Sequence, residues 1–136
     1  MKKKFLVAMA FALTTCFTAY SQTFTLEIKG IEKVKGDMYI GFYKSAKTFL
    51  KETSYGVCEK VTGKTMTITI NDLPKGSYAI SLFQDENMNK KLDTGLFGIP
   101  LEKYGFSNDA KGYTGPPSFK KCNFIFNANK KMVINL

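Results

Sequence analysis

Apolar and polar residues alternate along most of the chain after residue 22, which is the pattern of β-strands that bury one face. The alternation is regular around Leu26, Ile40, Ile68 and Ile80, and weaker in residues 55–61. The inward apolar positions are Phe24, Leu26 and Ile28; Met38, Ile40 and Phe42; Met66, Ile68 and Ile70; Tyr78, Ile80 and Leu82; Cys122, Phe124 and Phe126; and Met132, Ile134 and Leu136. About seven short strands without an amphipathic helix of ten residues predict an all-β fold, an antiparallel β-sandwich.

A long connector, residues 85–117, separates the fifth predicted strand from the sixth. A structureless segment of this length is uncommon in a small domain and is usually functional or disordered. Disorder is not expected, because the connector is rich in apolar residues. These are Leu92, Leu96, Phe97, Ile99, Leu101, Tyr104 and Phe106. We therefore predict that the connector folds back onto the sandwich.

The N-terminus has the order of a secretory signal peptide. Lys2, Lys3 and Lys4 precede the apolar run 5–19, and Ala19-Tyr20-Ser21 fits a cleavage site before Gln22. The run is shorter than the roughly 20 residues of a membrane-spanning helix. We predict residues 1–21 as a signal peptide, residues 22–136 as one domain, and a periplasmic or extracellular location. The alternative, a lipid anchor at Cys16, fits poorly because Thr15 precedes the cysteine.

Composition excludes several kinds of function. The chain has a net charge of +9 but no Arg, and its Lys residues are scattered, so nucleic-acid binding is not expected. No His is present, which excludes His-based catalytic triads and His-containing zinc sites. Removing residues 1–21, which hold three Lys and no acidic residue, lowers the charge to +6.

Two cysteines remain after the signal segment, Cys58 and Cys122. In an exported protein they suggest one disulfide, which would close a loop of about 65 residues. The alternative is two free thiols, since spacing alone does not show that the two Cα atoms meet.

The start of the connector has the spacing of a calcium loop. Asp85, Asn87, Asn89 and Asp93 occupy positions 1, 3, 5 and 9, and the Lys91 carbonyl would serve at position 7. Lys90 replaces the Gly usual at position 6, and Leu96 replaces the Glu usual at position 12. Glu102 or Asp109 could complete the set from further along the chain. The predicted ligands are Asp85, Asn87, Asn89, Lys91, Asp93 and Glu102, with an affinity of about 0.1–1 mM.

The alternatives for the same residues are a metal-free loop and a loop that holds another cation. Asp and Asn side chains readily form turns with their own backbone. Glu102 could reach the turn formed by residues 85–93 either as a ligand or as a hydrogen-bond acceptor.

The connector resembles a known family, the bacterial domain of unknown function 2141. The similarity lies in D-E-N-x-N-x-x-L-D followed by G-I-P-x-E-x-Y-G-F-S-N, with L-P-x-G-x-Y-A upstream. The matching residues are Asp85, Glu86, Asn87, Asn89, Leu92, Asp93, Gly98, Ile99, Pro100, Glu102, Tyr104, Gly105, Phe106, Ser107 and Asn108. Lys90 departs from the Gly that the family commonly has. The resemblance implies a small exported bacterial protein with a prealbumin-like or immunoglobulin-like sandwich, and it implies no activity.

The second half of the motif has two interpretations. Gly98, Pro100, Tyr104, Gly105 and Phe106 could pin the connector to the sandwich through special backbone angles and aromatic packing. Alternatively, the aromatic side chains could form a binding surface for a protein or a sugar. That surface would consist of Tyr104, Phe106, Tyr113 and Phe119.

Three hypotheses for function follow. The favoured one is an exported non-catalytic module whose connector, ordered by calcium, presents a surface to an envelope protein or glycan. The second is a structural envelope-associated domain without metal. The third is a small hydrolase that uses Asp85 and Glu102 as acid and base.

Overall fold

Two β-sheets face each other in the computed structural model, which describes residues 21–136. The predicted signal peptide and Cys16 lie outside the described residues, except for Ser21. Within the described part the strands are β1 (Phe24–Lys29), β2 (Asp37–Tyr43), β3 (Tyr55–Lys60), β4 (Met66–Ile70), β5 (Gly76–Asp85), β6 (Tyr104–Phe106), β7 (Phe124–Phe126) and β8 (Lys130–Asn135). A four-residue helix, α1 (Phe119–Cys122), precedes β7, and 3₁₀ turns span Leu96–Gly98 and Ser107–Asp109. Within residues 21–136, no helix has the length and apolar character needed to cross a membrane.

The smaller sheet has the order β4-β1-β8. Its central strand β1 pairs antiparallel with β4, placing Leu26 opposite Ile68, and parallel with β8, placing Leu26 opposite Met132. Alternate residues of all three strands are apolar and point inward, so the whole inner face is covered by the other sheet.

The larger sheet has the order β3-β2-β5-β6. The ten-residue strand β5 pairs with β2 along one edge and has two successive partners along the other. Its first residues pair with β7, where Tyr78 lies opposite Phe124, and residues 81–83 pair with β6, where Ser81 lies opposite Phe106. A gap between β6 and β7 therefore faces β5 near Ile80.

Aromatic rings fill the centre of the core. The Phe24 ring is fully buried, and its centroid lies 5.6 Å from that of Phe42, 5.5 Å from Phe124 and 5.7 Å from Phe126. Edge-to-face and stacked ring pairs at these distances stabilise a core beyond their area burial, by about 0.5–1.5 kcal/mol each. A second, smaller cluster lies on the opposite, outer face of the larger sheet. It consists of Tyr43, Phe49, Ala79, Phe106 and Cys122.

The prediction of an all-β sandwich is confirmed, with two differences in detail. The β1–β8 pair is parallel, and a period-two pattern gives no information on strand direction. The described residues form one strand more than predicted, because β6 lies inside the connector, where three residues are too few for a periodic signal. Cys122 ends α1 rather than starting a strand.

Candidate functional site

The acidic loop, residues 85–93, is wound around its own side chains. Asp85 is completely buried, and its carboxylate accepts hydrogen bonds from the backbone N–H groups of Asn89 at 3.2 Å and Lys90 at 2.7 Å. Asn87 Oδ1 accepts from the N–H of Asn89, and Asn89 Oδ1 accepts from that of Lys91. These are successive Asx-type turns, so the chain coils tightly within a few residues.

Three of the predicted ligand side chains meet at Asp93. Its carboxylate accepts from Asn87 Nδ2 at 2.6 Å and from Asn89 Nδ2 at 2.7 Å. The oxygen and nitrogen of an Asn amide are exchanged by a simple flip of the group. Here each amide is held in one orientation, because its Oδ1 accepts from a backbone N–H while its Nδ2 donates to Asp93.

Glu102 closes the acidic loop from the far side of the connector. Its Oε1 accepts from the N–H of Glu86 at 2.9 Å and its Oε2 from the N–H of Asp93 at 3.0 Å. The carboxylate is thus directed at two backbone N–H groups, which is the role of hydrogen-bond acceptor rather than ligand. Lys103 next to it contacts Glu32 at 2.7 Å, and this contact lowers the pKa of Glu32.

The backbone at Lys90 has the conformation for which calcium loops use glycine. Lys90 has φ 66° and Met88 has φ 57°, both in the left-handed region. Lys90 therefore adopts the left-handed conformation that a glycine would adopt there, and each non-glycine residue in that conformation costs about 1–2 kcal/mol.

The charge available to a cation is low. No group of three His, Cys, Asp or Glu side chains is placed to hold a metal ion among residues 21–136. Asp109, the other residue considered for closing the shell, binds elsewhere and accepts from the N–H and Nδ2 of Asn135 at 2.8 and 2.6 Å. A cation at this site would be held by Asp93, Asn87, Asn89 and the Lys91 carbonyl, with Asp85 behind them.

The tip of the connector, residues 94–101, is a small hairpin with an apolar surface. Thr94 and Pro100 form an isolated bridge, and the turn between them exposes 99% of Phe97 and 82% of Leu96. Ile99 and Leu101 are also exposed. The prediction that these side chains fold back onto the sandwich is wrong, because the hairpin bonds to itself instead. Leu92 is half-buried, and Phe106 does pack against the sandwich.

A segment that we call the staple, Ser107–Asp109, fills the gap between β6 and β7. Buried Ser107 Oγ accepts from the N–H of Ile80 at 2.8 Å and donates to the carbonyl of Cys122. Asn108 Nδ2 donates to the carbonyls of Lys121 and Asn123. Asp109 binds β8, as described above. Sequence reasoning assigned no role to Ser107, although its place in the motif that resembles the family was a usable signal.

The residues predicted to pin the connector have different environments. Gly105 is buried, and a Cβ there would lie 2.7 Å from Ile134 Cγ2, so any side chain would have to displace the buried Ile134. Gly98 has φ 70° with open space around it, and Pro100 is in the tip. Tyr104 is exposed opposite Phe83 on the outer face and therefore does not pin the connector.

The alternative surface of four aromatic residues is not formed. Phe106 is buried in the second cluster, whereas Tyr113 is fully exposed. Phe119 packs against Phe49, with ring centroids 5.8 Å apart, and contributes to the second cluster.

The predicted disulfide is also wrong, because Cys58 and Cys122 are free thiols. Cys58 is exposed on β3, whose neighbour β2 separates it from β5. Cys122 is buried, and its carbonyl accepts a hydrogen bond from Ser107 of the staple. Two strand spacings of about 4.8 Å each exceed the Cα separation that a disulfide tolerates. Burial raises the pKa of Cys122 to about 11.

An outer groove of about 620 Å³ lies on the exposed part of the larger sheet. Gly41 and Gly56 are paired in its floor, and the rings of Tyr39 and Phe83 stack beside them with centroids 5.4 Å apart. Tyr104 continues this aromatic row on β6. A hydrogen bond to Cys58 raises the pKa of Tyr39. The fourteen described residues that line the groove include no charged side chain.

Leu92 of the acidic loop is also part of the groove wall. The order of the acidic loop and the shape of the groove are therefore linked, because Leu92 lies between Lys91 and Asp93 in the chain. Sequence reasoning missed the groove, since its floor depends on the pairing of strands that are distant in sequence.

The fold and these sites define an all-β sandwich protein with one elaborated connector. The chain belongs to the family described as uncharacterized protein conserved in bacteria (DUF2141), whose model matches residues 26–135. The resemblance noted from the sequence is thereby confirmed. No curated protein and no solved structure matches the chain.

Proposed function

We propose that this protein is an exported, non-catalytic binding module that holds a neutral glycan in the outer groove. The acidic loop, ordered by a calcium ion, completes the groove wall. The observation that carries the proposal is the composition of the groove, in which aromatic rings and hydroxyl groups occur without any charged side chain.

Export is supported by the N-terminal sequence. Lys2, Lys3 and Lys4 followed by the apolar run 5–19 have the order that secretory signals require. The family consists of bacterial proteins, so the destination would be the periplasm or the cell exterior. The mass of the purified protein tests cleavage. A mass that corresponds to a chain beginning at Gln22 would support it, and an intact N-terminus in the cytoplasmic fraction would contradict it.

The groove has the chemistry of a sugar site. Tyr39 and Phe83 stack on each other, and the ring surface that the pair leaves toward the groove offers apolar area to the C–H groups of a pyranose ring. Hydroxyl groups of Thr53, Ser54 and Ser81 line the same space and can bond to sugar hydroxyls. Its volume is within the range of small-ligand sites, about 300–1,000 Å³. A charged ligand would find no counter-charge among these lining residues.

Binding to arrays of neutral oligosaccharides, followed by titration calorimetry, tests the groove. Tyr39→Ala should weaken the best ligand about tenfold or more, because it removes one face of the stacked pair. Tyr113→Ala is the matched control, since Tyr113 is exposed on the connector and should leave affinity unchanged. Binding to no neutral oligosaccharide, or equal binding by Tyr39→Ala, would contradict the proposal.

Calcium is supported by the course of the acidic loop. Oxygen-bearing side chains stand at positions 1, 3, 5 and 9, and three of them lie together, because Asn87 and Asn89 donate from Nδ2 to the carboxylate of Asp93. The left-handed conformation of Lys90 removes the main objection to the motif. Because Asp85 and Glu102 already accept backbone hydrogen bonds, we expect an affinity at the weak end, about 1 mM.

Calcium titration of the protein tests this part separately. At about 10 mM calcium, an ion bound with a dissociation constant near 1 mM stabilises the fold by about 1.4 kcal/mol, which raises the melting temperature by several degrees. Asp93→Asn should abolish the rise while keeping the loop folded. Asp72→Asn, an exposed residue outside the loop, is the control. Absence of both heat and a thermal shift in the unmodified protein would leave a metal-free loop.

One observation favours the second candidate, a structural domain without metal. Both carboxylate oxygens of Asp85, Asp93 and Glu102 accept hydrogen bonds from within the protein. The same observation weighs against a hydrolase, because Asp85 and Glu102 are buried and committed to backbone N–H groups.

The ligand of the groove could instead be an envelope protein. The protein would then capture a partner from the envelope fraction, and Tyr39→Ala would abolish this capture while Tyr113→Ala would retain it.

A further inference from the structure

The apolar tip is not explained by folding. Phe97 is 99% exposed, and Leu96, Leu101 and Ile99 are exposed by 82%, 70% and 61%. Gly98 at its apex has open space around it. Side chains with this exposure contribute almost nothing to the core, and a contiguous group of four is a mark of an interaction site.

The backbone at the tip is in fact unfavourable for the residue that occupies it. Phe97 has φ 58°, in the left-handed region that Asn and Gly adopt easily and aromatic residues do not. An Asn at this position would relieve backbone strain and remove an exposed aromatic ring at once. The presence of Phe therefore points to a contact outside the described chain.

The tip bonds to itself, which suits an apolar environment. The N–H of Gly95 donates to the Ile99 carbonyl at 2.8 Å, and the N–H of Leu101 donates to the Asp93 carbonyl at 2.8 Å. The N–H of Ile99 donates to the Leu96 carbonyl at 3.3 Å, and Pro100 has no N–H. These three N–H groups at the base of the tip can leave water at low cost, which suits a segment that enters the boundary of a bilayer.

Exposed positive charge precedes this apolar group in the chain, at Lys90 and Lys91. The acidic residue between them and the tip, Asp93, is partly buried, and both of its carboxylate oxygens accept from the amides of Asn87 and Asn89. Residues 22–136 carry six more basic than acidic side chains, so a second copy of the chain is repelled while an anionic surface is attracted. Apolar side chains flanked by Lys are typical of segments that lie in the interface of an anionic membrane.

We propose that the tip inserts into the surface of an anionic phospholipid membrane. Leu96, Phe97 and Ile99 enter the boundary between headgroups and acyl chains, and Lys90 and Lys91 contact the lipid phosphates. This contact is separate from the glycan in the outer groove, so the protein would hold its ligand close to a membrane. A groove that binds no glycan leaves this inference intact, and the reverse also holds.

Flotation of the purified protein with vesicles tests the inference. The chain is expressed at full length, and its N-terminus is checked by mass, because an uncleaved apolar segment would itself bind lipid. We expect binding to vesicles of phosphatidylethanolamine with phosphatidylglycerol, weaker binding at high salt, and little binding to phosphatidylcholine alone.

Two pairs of variants locate the contact. Phe97→Asn should lower vesicle affinity about tenfold or more without loss of thermal stability, whereas Ile125→Asn, an exposed apolar residue on β7, should not. Lys90→Gln with Lys91→Gln should weaken binding about fivefold for each lysine. Lys120→Gln with Lys121→Gln makes the same change of charge on α1 and should have a smaller effect.

The outcomes separate the possible occupants of the tip. Absence of binding to anionic vesicles, or equal binding by Phe97→Asn, overturns the inference. Equal losses from the two lysine pairs would also overturn it, because binding would then be a property of net charge alone. Self-association in sedimentation velocity that Phe97→Asn abolishes would assign the tip to a second copy of the chain instead of lipid.

Discussion

The two halves of the connector place the same kind of residue, a phenylalanine, in opposite environments. In the tip, Phe97 is almost wholly exposed, and the N–H groups of Gly95, Ile99 and Leu101 bond within residues 93–101. Nine residues later, Phe106 is buried in the second cluster, and the staple that follows it bonds to β5, α1 and β8. The staple half therefore contributes to the stability of the sandwich, whereas the tip half only projects from it.

This contrast separates stability from function within one segment. Changes in the staple should be visible in unfolding experiments, because its polar atoms replace strand pairing in the gap between β6 and β7. Changes in the tip should be visible only in binding experiments. Variants that reverse this assignment would show that the two halves are not independent.

The largest difference is expected between two identical substitutions. Phe106→Ala should lower the free energy of unfolding by about 3 kcal/mol or more, since it leaves a cavity between Phe49, Ala79 and Cys122. Phe97→Ala should change it by less than about 0.5 kcal/mol, because the ring contacts little. Urea unfolding followed by circular dichroism measures both. Equal losses would mean that the tip packs against the sandwich after all.

Ser107 gives the next largest effect. Ser107→Ala leaves the buried N–H of Ile80 without its acceptor and the Cys122 carbonyl without its donor, at a cost of about 1–3 kcal/mol. Ser54→Ala, at an exposed position, is the control. If both variants unfold at the same urea concentration, the N–H of Ile80 and the carbonyl of Cys122 must have hydrogen-bond partners other than Ser107.

Glu102 should affect only the half of the connector that precedes the staple. Glu102→Gln keeps one oxygen, so one of the N–H groups of Glu86 and Asp93 loses its acceptor, at about 1–2 kcal/mol. Local opening predicts that these two amides exchange hydrogen about five- to thirtyfold faster. The Ile80 amide, held by the staple, should be unchanged. Faster exchange at Ile80 as well would show that the halves open together.

The sandwich could be predicted because its strands are long enough to show a period of two. Leu26, Ile40, Ile68 and Ile80 each sit in a regular alternation, and each is buried. The parallel direction of β8 and the three-residue strand β6 were not predictable in this way, since neither leaves a periodic trace.

The acidic loop was predictable for a different reason. Asp85, Asn87, Asn89 and Asp93 are close in sequence, so their spacing was enough to predict that they lie in one tight loop. The disulfide, the outer groove and the exposed tip depend on which distant segments meet, and composition favoured the wrong answer for the tip. Apolar residues usually predict burial, and here Phe97 and Leu96 remain in water.

The smallest effect concerns the two thiols, and it sharpens the contrast between an open surface and the staple. Cys58 faces the outer groove and should be alkylated by iodoacetamide in the folded protein, while Cys122 behind the staple should not.

Burial raises the pKa of Cys122 to about 11 from an ordinary value of 9.0, so the folded state keeps a proton that the unfolded state releases between these values. Stability should therefore be unaffected by this thiol below pH 9 and fall as the pH rises toward 11. Mass spectrometry should find Cys122 modified only as the protein unfolds in that range, or earlier in Ser107→Ala. A cross-linked peptide of Cys58 with Cys122 would contradict the strand order itself, because it requires β3 and α1 to lie side by side.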